Sequence, residues 1–119
     1  MSAVEAVRAA ILNQVRAWND GDLEGFVATV HEDVVYVTPH GLLHGKESLL
    51  EAYRGDWRKK QGTLTVEIEQ VMDHGTAVTA VVRYWLLGSS DDRAGWSLLT
   101  FTYRDGAARL IADASMRAE

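Results

Sequence analysis

The apolar residues of this chain change period once, and that change limits the possible folds more than any other feature. From the N-terminus Val4, Val7, Ile11, Val15 and Trp18 recur at steps of three and four, the spacing of a single helical face. After Gly62 the step becomes two, with Leu64, Val66 and Ile68 alternating with Thr65, Glu67 and Glu69, the pattern of a strand with one wet face. Helices placed ahead of strands predict an α+β domain in which a curved sheet wraps around the helices.

Local signals set the boundaries. Ser2 with Glu5 forms a capping box at the start of the first helix, and Asn19-Asp20-Gly21 stops it. Asp22 caps a shorter helix whose apolar side is Leu23, Phe26, Val27 and Val30. Residues 34–38 are β-branched and aromatic and run into Pro39-His40-Gly41, so they read as a strand entering a turn, with a short return strand over 42–44. A third helix from about Lys46 buries Leu49, Leu50, Tyr53 and Trp57 and ends near Gly62. The expected strands then cover 64–69, 76–87, 96–103 and 108–116, with Asp73-His74-Gly75 and Arg104-Asp105-Gly106 as turns and 88–95 as a polar loop. No repeat or linker interrupts the chain, and residues 1–119 read as one domain.

Composition removes several classes of function. Without cysteine there is no disulfide scaffold, thiolate metal site or cysteine nucleophile. The net charge of −5 disfavours nucleic acid as a partner, and the one dense basic run, Arg58-Lys59-Lys60, suits a solvated helix end. The longest apolar stretch, 77–87, is broken by Arg83 and is too short for a bilayer, and the first residues lack a secretory pattern. A cytoplasmic protein that binds neither membrane nor nucleic acid is expected. His40 and His44 are four apart but separated by a turn, His31 and His74 stand alone, and no glycine-rich nucleotide motif or serine elbow occurs. Neither metal nor cofactor is expected.

Three runs carry a family resemblance: Ala17-Trp18-Asn19-Asp20-Gly21-Asp22-Leu23-Glu24-Gly25-Phe26, then Asp33-Val34-Val35-Tyr36-Val37-Thr38-Pro39, then His44-Gly45-Lys46-Glu47-Ser48-Leu49. Gly62-Thr63-Leu64-Thr65 and Arg83-Tyr84 continue it. The chain resembles the SnoaL-like branch of the nuclear transport factor 2 superfamily, which implies a conical α+β barrel with a pocket between helices and sheet, commonly in a dimer. Members include isomerases, cyclases, dehydratases, hydrolases and non-catalytic association domains, so the fold does not name a reaction. The departures are informative. Where related ketosteroid isomerases have a base aspartate before the strand-ending proline, this chain has Thr38. The position of their oxyanion tyrosine aligns with Gln14, and that of their buried aspartic acid with Leu99. Two histidines found on the last strand of close SnoaL-like relatives fall on Ala112 and Ala114. Threonine has no pKa suited to removing a carbon acid's proton near neutrality, so steroid isomerisation by that mechanism is not expected.

Strand alternation then proposes the cavity wall. With Thr38 inward, Tyr36 and His40 are inward too. The resemblance places Thr79, Val81, Arg83 and Trp85 inward on the long strand and Ser97, Leu99, Phe101 and Tyr103 inward on the next. Tyr53 and Trp57 approach from the third helix, Trp18 from the first, and Ala112 and Ala114 enlarge the apolar space. Arg83 has two readings, a structural ion pair with a carboxylate such as Glu67 and a clamp for an anionic ligand. His40 is the group to examine first as a general base, although a histidine in a Pro-His-Gly turn is usually solvated. Tyr36 and Tyr53 combine core packing with the capacity to donate to an oxyanion.

The expected function is binding of a small apolar or aromatic molecule, anionic if Arg83 is a clamp. Proton-transfer chemistry of the isomerase or cyclase type is one outcome, and a non-catalytic ligand-binding protein or a dimerisation module with a filled cavity are the alternatives. On the long strand Val78, Ala80, Val82, Tyr84 and Leu86 are as apolar as the set assigned inward, which predicts a homodimer through the convex sheet face.

Overall fold

The computed structural model describes residues 2–38, 41–60, 62–88 and 92–118, excluding the side chains of 55–60. The chain runs α1 (Ala3–Asp20), α2 (Leu23–Val27), β1 (Val30–Thr38), β2 (Gly41–His44), α3 (Lys46–Lys60), β3 (Thr63–Asp73), β4 (Val78–Leu87), β5 (Arg93–Arg104) and β6 (Ala107–Arg117). These make the expected α+β fold, with three helices packed on one open, curved, mixed sheet. Ser2 caps α1 as expected: the Glu5 amide donates to Ser2 Oγ at 3.1 Å, while the Glu5 carboxylate takes its bond from the Ser2 hydroxyl, at 3.0 Å, rather than from the backbone amide of a full capping box. Gly21, at φ 69°, ends α1, and Asp22 caps α2 by accepting from the Gly25 amide at 2.9 Å. Val30 belongs to β1 rather than to α2, which stops at Val27. Its β-branched side chain is buried between layers as the strand begins.

The six strands lie in the order β2-β1-β6-β5-β4-β3. All neighbours are antiparallel except β1 and β6, so the last strand is inserted beside the first. Asp105 and Gly106, both at positive φ, close β5 onto β6 in a two-residue turn of the type that matches strand twist. β3 is an edge strand, and α1 is fastened to it by Asn19. The Asn19 amide nitrogen donates to the Leu64 carbonyl at 2.9 Å while its oxygen accepts from the Leu64 amide at 2.8 Å. The core between helices and sheet contains Val7, Ile11, Leu49, Phe101 and Leu110.

Two strands present faces opposite to those expected. On β4 the buried residues are Val78, Ala80, Val82 and Leu86, which places Thr79, Val81, Arg83 and Trp85 on the outer face. Both alternate sets of β4 are apolar, so hydrophobicity does not fix its phase, and packing against the helices selects the set without a charge. On β6 an irregularity sets the phase. Thr100 pairs with Ala112 but the next residue, Phe101, pairs with Leu110, leaving Ile111 as an extra residue. Leu110 and Asp113 therefore both face inward, while Ala112 and Ala114 face out. The surface assigned to dimerisation accordingly changes: the Val78–Leu86 set is inside, and the outer face carries Val81, Trp85, Leu98 and Met116.

Gly95 shows how closely β4, β5 and β6 approach at one end. A Cβ there would collide with the Met116 carbonyl and press on Tyr84 Oη and Arg117 Cα. Gly95→Ala is expected to destabilise the fold by about 1–3 kcal/mol, since backbone cannot yield as a side chain can. Urea unfolding measures this, and a loss below about 0.5 kcal/mol would contradict the packing described.

Candidate functional site

Helices and concave sheet enclose a cavity of about 600 Å³. One wall is aromatic. Trp18, Phe26 and Tyr53 meet edge to face with ring centroids 5.5–5.8 Å apart, which fixes the angle of each ring. Leu64 and Val66 from β3 and Val82, Tyr84 and Leu86 from β4 continue this side. The opposite wall is a polar strip on β5 and β6, made from the inward positions Ser97, Asp113, Ser115, Arg93 and Arg117.

Asp113 is the chemically distinctive group. The bulge at Ile111 turns it into the cavity beside Leu99, its partner on β5. Ser115 Oγ donates to Asp113 Oδ1 at 3.0 Å, and Ser97 and Ser115 hydroxyls meet at 2.8 Å. With the Ser115 proton directed to the carboxylate, Ser97 is the donor in the second bond, so the hydroxyls form a directed pair ending on Asp113. Burial raises the Asp113 pKa to about 6 against the hydrogen bond from Ser115, which holds it down. Tyr36 and Tyr53 border the same space. Burial first, and then the Asp113 carboxylate, raise Tyr53 to about 12 and push Tyr36 well above its usual range, while Arg93 partly offsets the effect on Tyr53. Both phenols therefore remain donors at neutral pH. Among the described residues the lining thus pairs a carboxyl able to gain or lose a proton near neutrality with the phenols of Tyr36 and Tyr53, which keep theirs.

Of the residues expected in the cavity, Trp18, Tyr36, Thr38, Tyr53, Ser97 and Leu99 line it. Phe101 is fully buried in the core and Tyr103 packs against that core. Thr79, Val81, Arg83, Trp85, Ala112 and Ala114 lie on the other face of the sheet. Arg83 stacks over the rings of Trp85 and Trp96, 5.2 and 4.9 Å from their centroids, so its charge is held by aromatic faces and is not available as a clamp inside the cavity. His40 and the Trp57 side chain lie outside the described residues. Thr38 donates to the Gly41 carbonyl at 3.0 Å, and Gln14 to Thr29 Oγ1 at 3.1 Å, so both serve the fold. Among the described residues no group of three His, Asp or Glu is arranged to hold a metal. No described helix is long and apolar enough to cross a membrane.

The sequence reading overlooked Asp113, Arg93 and Arg117. The available signal was one acid inside the apolar run Leu110-Ile111-Ala112-Asp113-Ala114, a residue that a barrel strand retains only with a reason.

Residues 11–111 match the SnoaL-like domain family. The chain belongs to that family. No curated protein matches it. Among solved structures, an NTF-2 like protein of unknown function from Shewanella oneidensis superposes with a TM-score of 0.86 at 22% identity, covering 96% of this chain and 98% of that one. A ketosteroid isomerase-like protein from Erwinia carotovora atroseptica gives 0.85 at 18% identity, covering 98% and 96%. A domain of unknown function with a cystatin-like fold from Nostoc punctiforme gives 0.84 at 23% identity, covering 100% and 80%. At these identities the likeness establishes the SnoaL-like fold. The isomerase resemblance lacks an acid at Leu99, yet in this SnoaL-like chain a carboxyl stands directly across from it, on β6.

The raised pKa has a consequence for stability. An unfolded aspartate titrates near 3.8, so the folded protein holds this proton more tightly; the stabilisation is complete below that pH and is lost as pH rises through about 6. The difference is at most about 3 kcal/mol. Asp113→Asn is expected to be more stable than wild type at pH 7, with the advantage shrinking as pH falls towards 4. Parallel thermal melts test this; an advantage independent of pH, or a loss at pH 7, would contradict it.

Proposed function

We propose that this SnoaL-like domain binds a small, largely apolar carbonyl compound and moves a proton on it. Asp113 takes a proton from the carbon beside the carbonyl, and the C–H electron pair passes to the carbonyl oxygen as an enolate. The phenols of Tyr36 and Tyr53 donate to that oxygen. Return of the proton from Asp113 to another carbon of the conjugated system completes an isomerisation with no net change of atoms. The observation that carries this reading is the carboxyl on the wall of an aromatic cavity, beside two phenols that stay protonated.

Exchange of the acidic hydrogens of β-tetralone in deuterium oxide, followed by NMR, provides the test. Wild type is expected to accelerate exchange, Asp113→Asn to reduce that acceleration by about 10²–10⁴-fold, and Tyr53→Phe to reduce it by about tenfold. Asp113→Asn exchanging at the wild-type rate would overturn the reading. A second reading, ligand binding without turnover, draws support from Thr38 and Gln14, whose hydrogen bonds commit to the fold the positions that carry a base and a phenol in the isomerases. It is preferred if wild type binds β-tetralone without accelerating exchange. An open cavity of about 600 Å³ disfavours the third alternative, a module with its interior filled.

We also propose that two copies pair through the outer sheet face. Leu98 and Met116 are 48% and 66% exposed there, and Leu98 stands in register between Val81 and Ala114, giving an apolar row across three strands. Light scattering is expected to give twice the chain mass of 13.2 kDa, with Leu98→Glu shifting it to the monomer. A wild-type monomer at micromolar concentration would refute the pairing.

A further inference from the structure

The polar strip has a direction. Along the inner face of β6, Asp113, Ser115 and Arg117 follow one another at alternate positions, and on β5 their partners are Leu99, Ser97 and Gly95. Arg93 lies one inward position beyond Gly95, at the end of β5. Asp113 and Arg117 are four residues apart, so their backbones are separated by roughly 13 Å along the strand. The acid therefore stands at one end of the strip and two arginine positions at the other, with the hydroxyl pair of Ser97 and Ser115 between them.

The charge at the outer end is suited to an anion. The described residues lining the cavity include two arginines and one carboxylate, in a chain whose net charge is −5. The described lining thus carries more positive than negative charge in an otherwise acidic molecule, which favours entry of a negative ligand. Arg93 lines the cavity, and its charge works against the larger effect of burial on the Tyr53 phenol. A guanidinium has five N–H donors in a planar fork, so partners within the protein leave capacity for an oxyanion.

We infer that the ligand is an amphipathic organic acid, held at the cavity mouth by its anionic group on Arg93 and Arg117, with an apolar body lying against the aromatic wall and its reacting end at Asp113. This rests on the pocket reading above and deepens it by naming the ligand class. It also reassigns the anion-binding role considered for Arg83, which lies on the other face of the sheet.

Two fluorescent probes that differ in one group test the inference. Anilinonaphthalene sulfonate carries an anionic oxygen group, while its parent, phenylnaphthylamine, is neutral and otherwise the same; both brighten in apolar cavities. In low salt the sulfonate is expected to bind wild type at least about tenfold tighter than the parent, the size of a charge-assisted contact. Added salt should weaken the sulfonate alone. Arg93→Met combined with Arg117→Met should remove the preference and leave the parent's affinity unchanged, and the corresponding Lys pair should keep most of it. Should the double Met variant fail to fold, Arg117→Met alone and the salt series decide. Equal binding of both probes by wild type, or a preference that survives loss of the cations, would overturn the anion inference while leaving the pocket reading intact. Uptake of neither probe by wild type would overturn both.

Discussion

A carboxyl group inside a mostly apolar cavity is the constraint around which the inner half of this structure is arranged. Ionising it away from bulk water is costly, and the hydrogen bond from Ser115 recovers only part of that cost, so Asp113 titrates near pH 6 rather than near 3.8. Its position depends on a single extra residue. Without the bulge at Ile111, strict alternation from buried Leu110 would bring Ala112 and Ala114 into the cavity and expel Asp113 and Ser115. A local irregularity of the last strand thereby determines whether β6 turns an acid into the cavity.

The rest of the molecule supports that placement. Pairing of β6 between β1 and β5 fixes the strand on both edges, so the bulge cannot relax by sliding. Asn19 fastens α1 to the free edge of β3, and the rings of Trp18, Phe26 and Tyr53 lock α1, α2 and α3 to one another as the helical wall. On the outer face Arg83 lies between two indoles, consistent with the preference of a guanidinium for aromatic faces over unpaired burial. The two faces thus divide the charged residues by task, with Arg93 and Arg117 facing the cavity and Arg83 covering the outside.

Much of the fold was legible because its signals are local. The Ser2–Glu5 pair, the Gly21 stop, the Asp105-Gly106 turn and the change from helical to alternating period each have a short-range physical cause and fall where expected, whereas β5 begins at Arg93, within the segment 88–95 read as a polar loop. The site was less legible because strand phase is decided by tertiary contacts. On β4 both alternate sets are apolar, so Arg83 could be assigned to either face. On β6 the bulge reverses alternation midway, and nothing in Leu110-Ile111-Ala112-Asp113 marks Ile111 as the extra residue. The aromatic wall was predictable from helical spacing, whereas the acid was not, although a single aspartate in an apolar strand was visible.

Asp113 as a titrating group of the cavity is the claim on which the site depends, and carbon-detected NMR of its side-chain carboxyl as a function of pH tests it most directly. A midpoint near pH 6 is expected in wild type, moving higher in Ser115→Ala, which lacks the hydroxyl that stabilises the carboxylate. A midpoint at or below the ordinary value of 3.8, unchanged by Ser115→Ala, would show a solvated carboxylate and contradict the site described here.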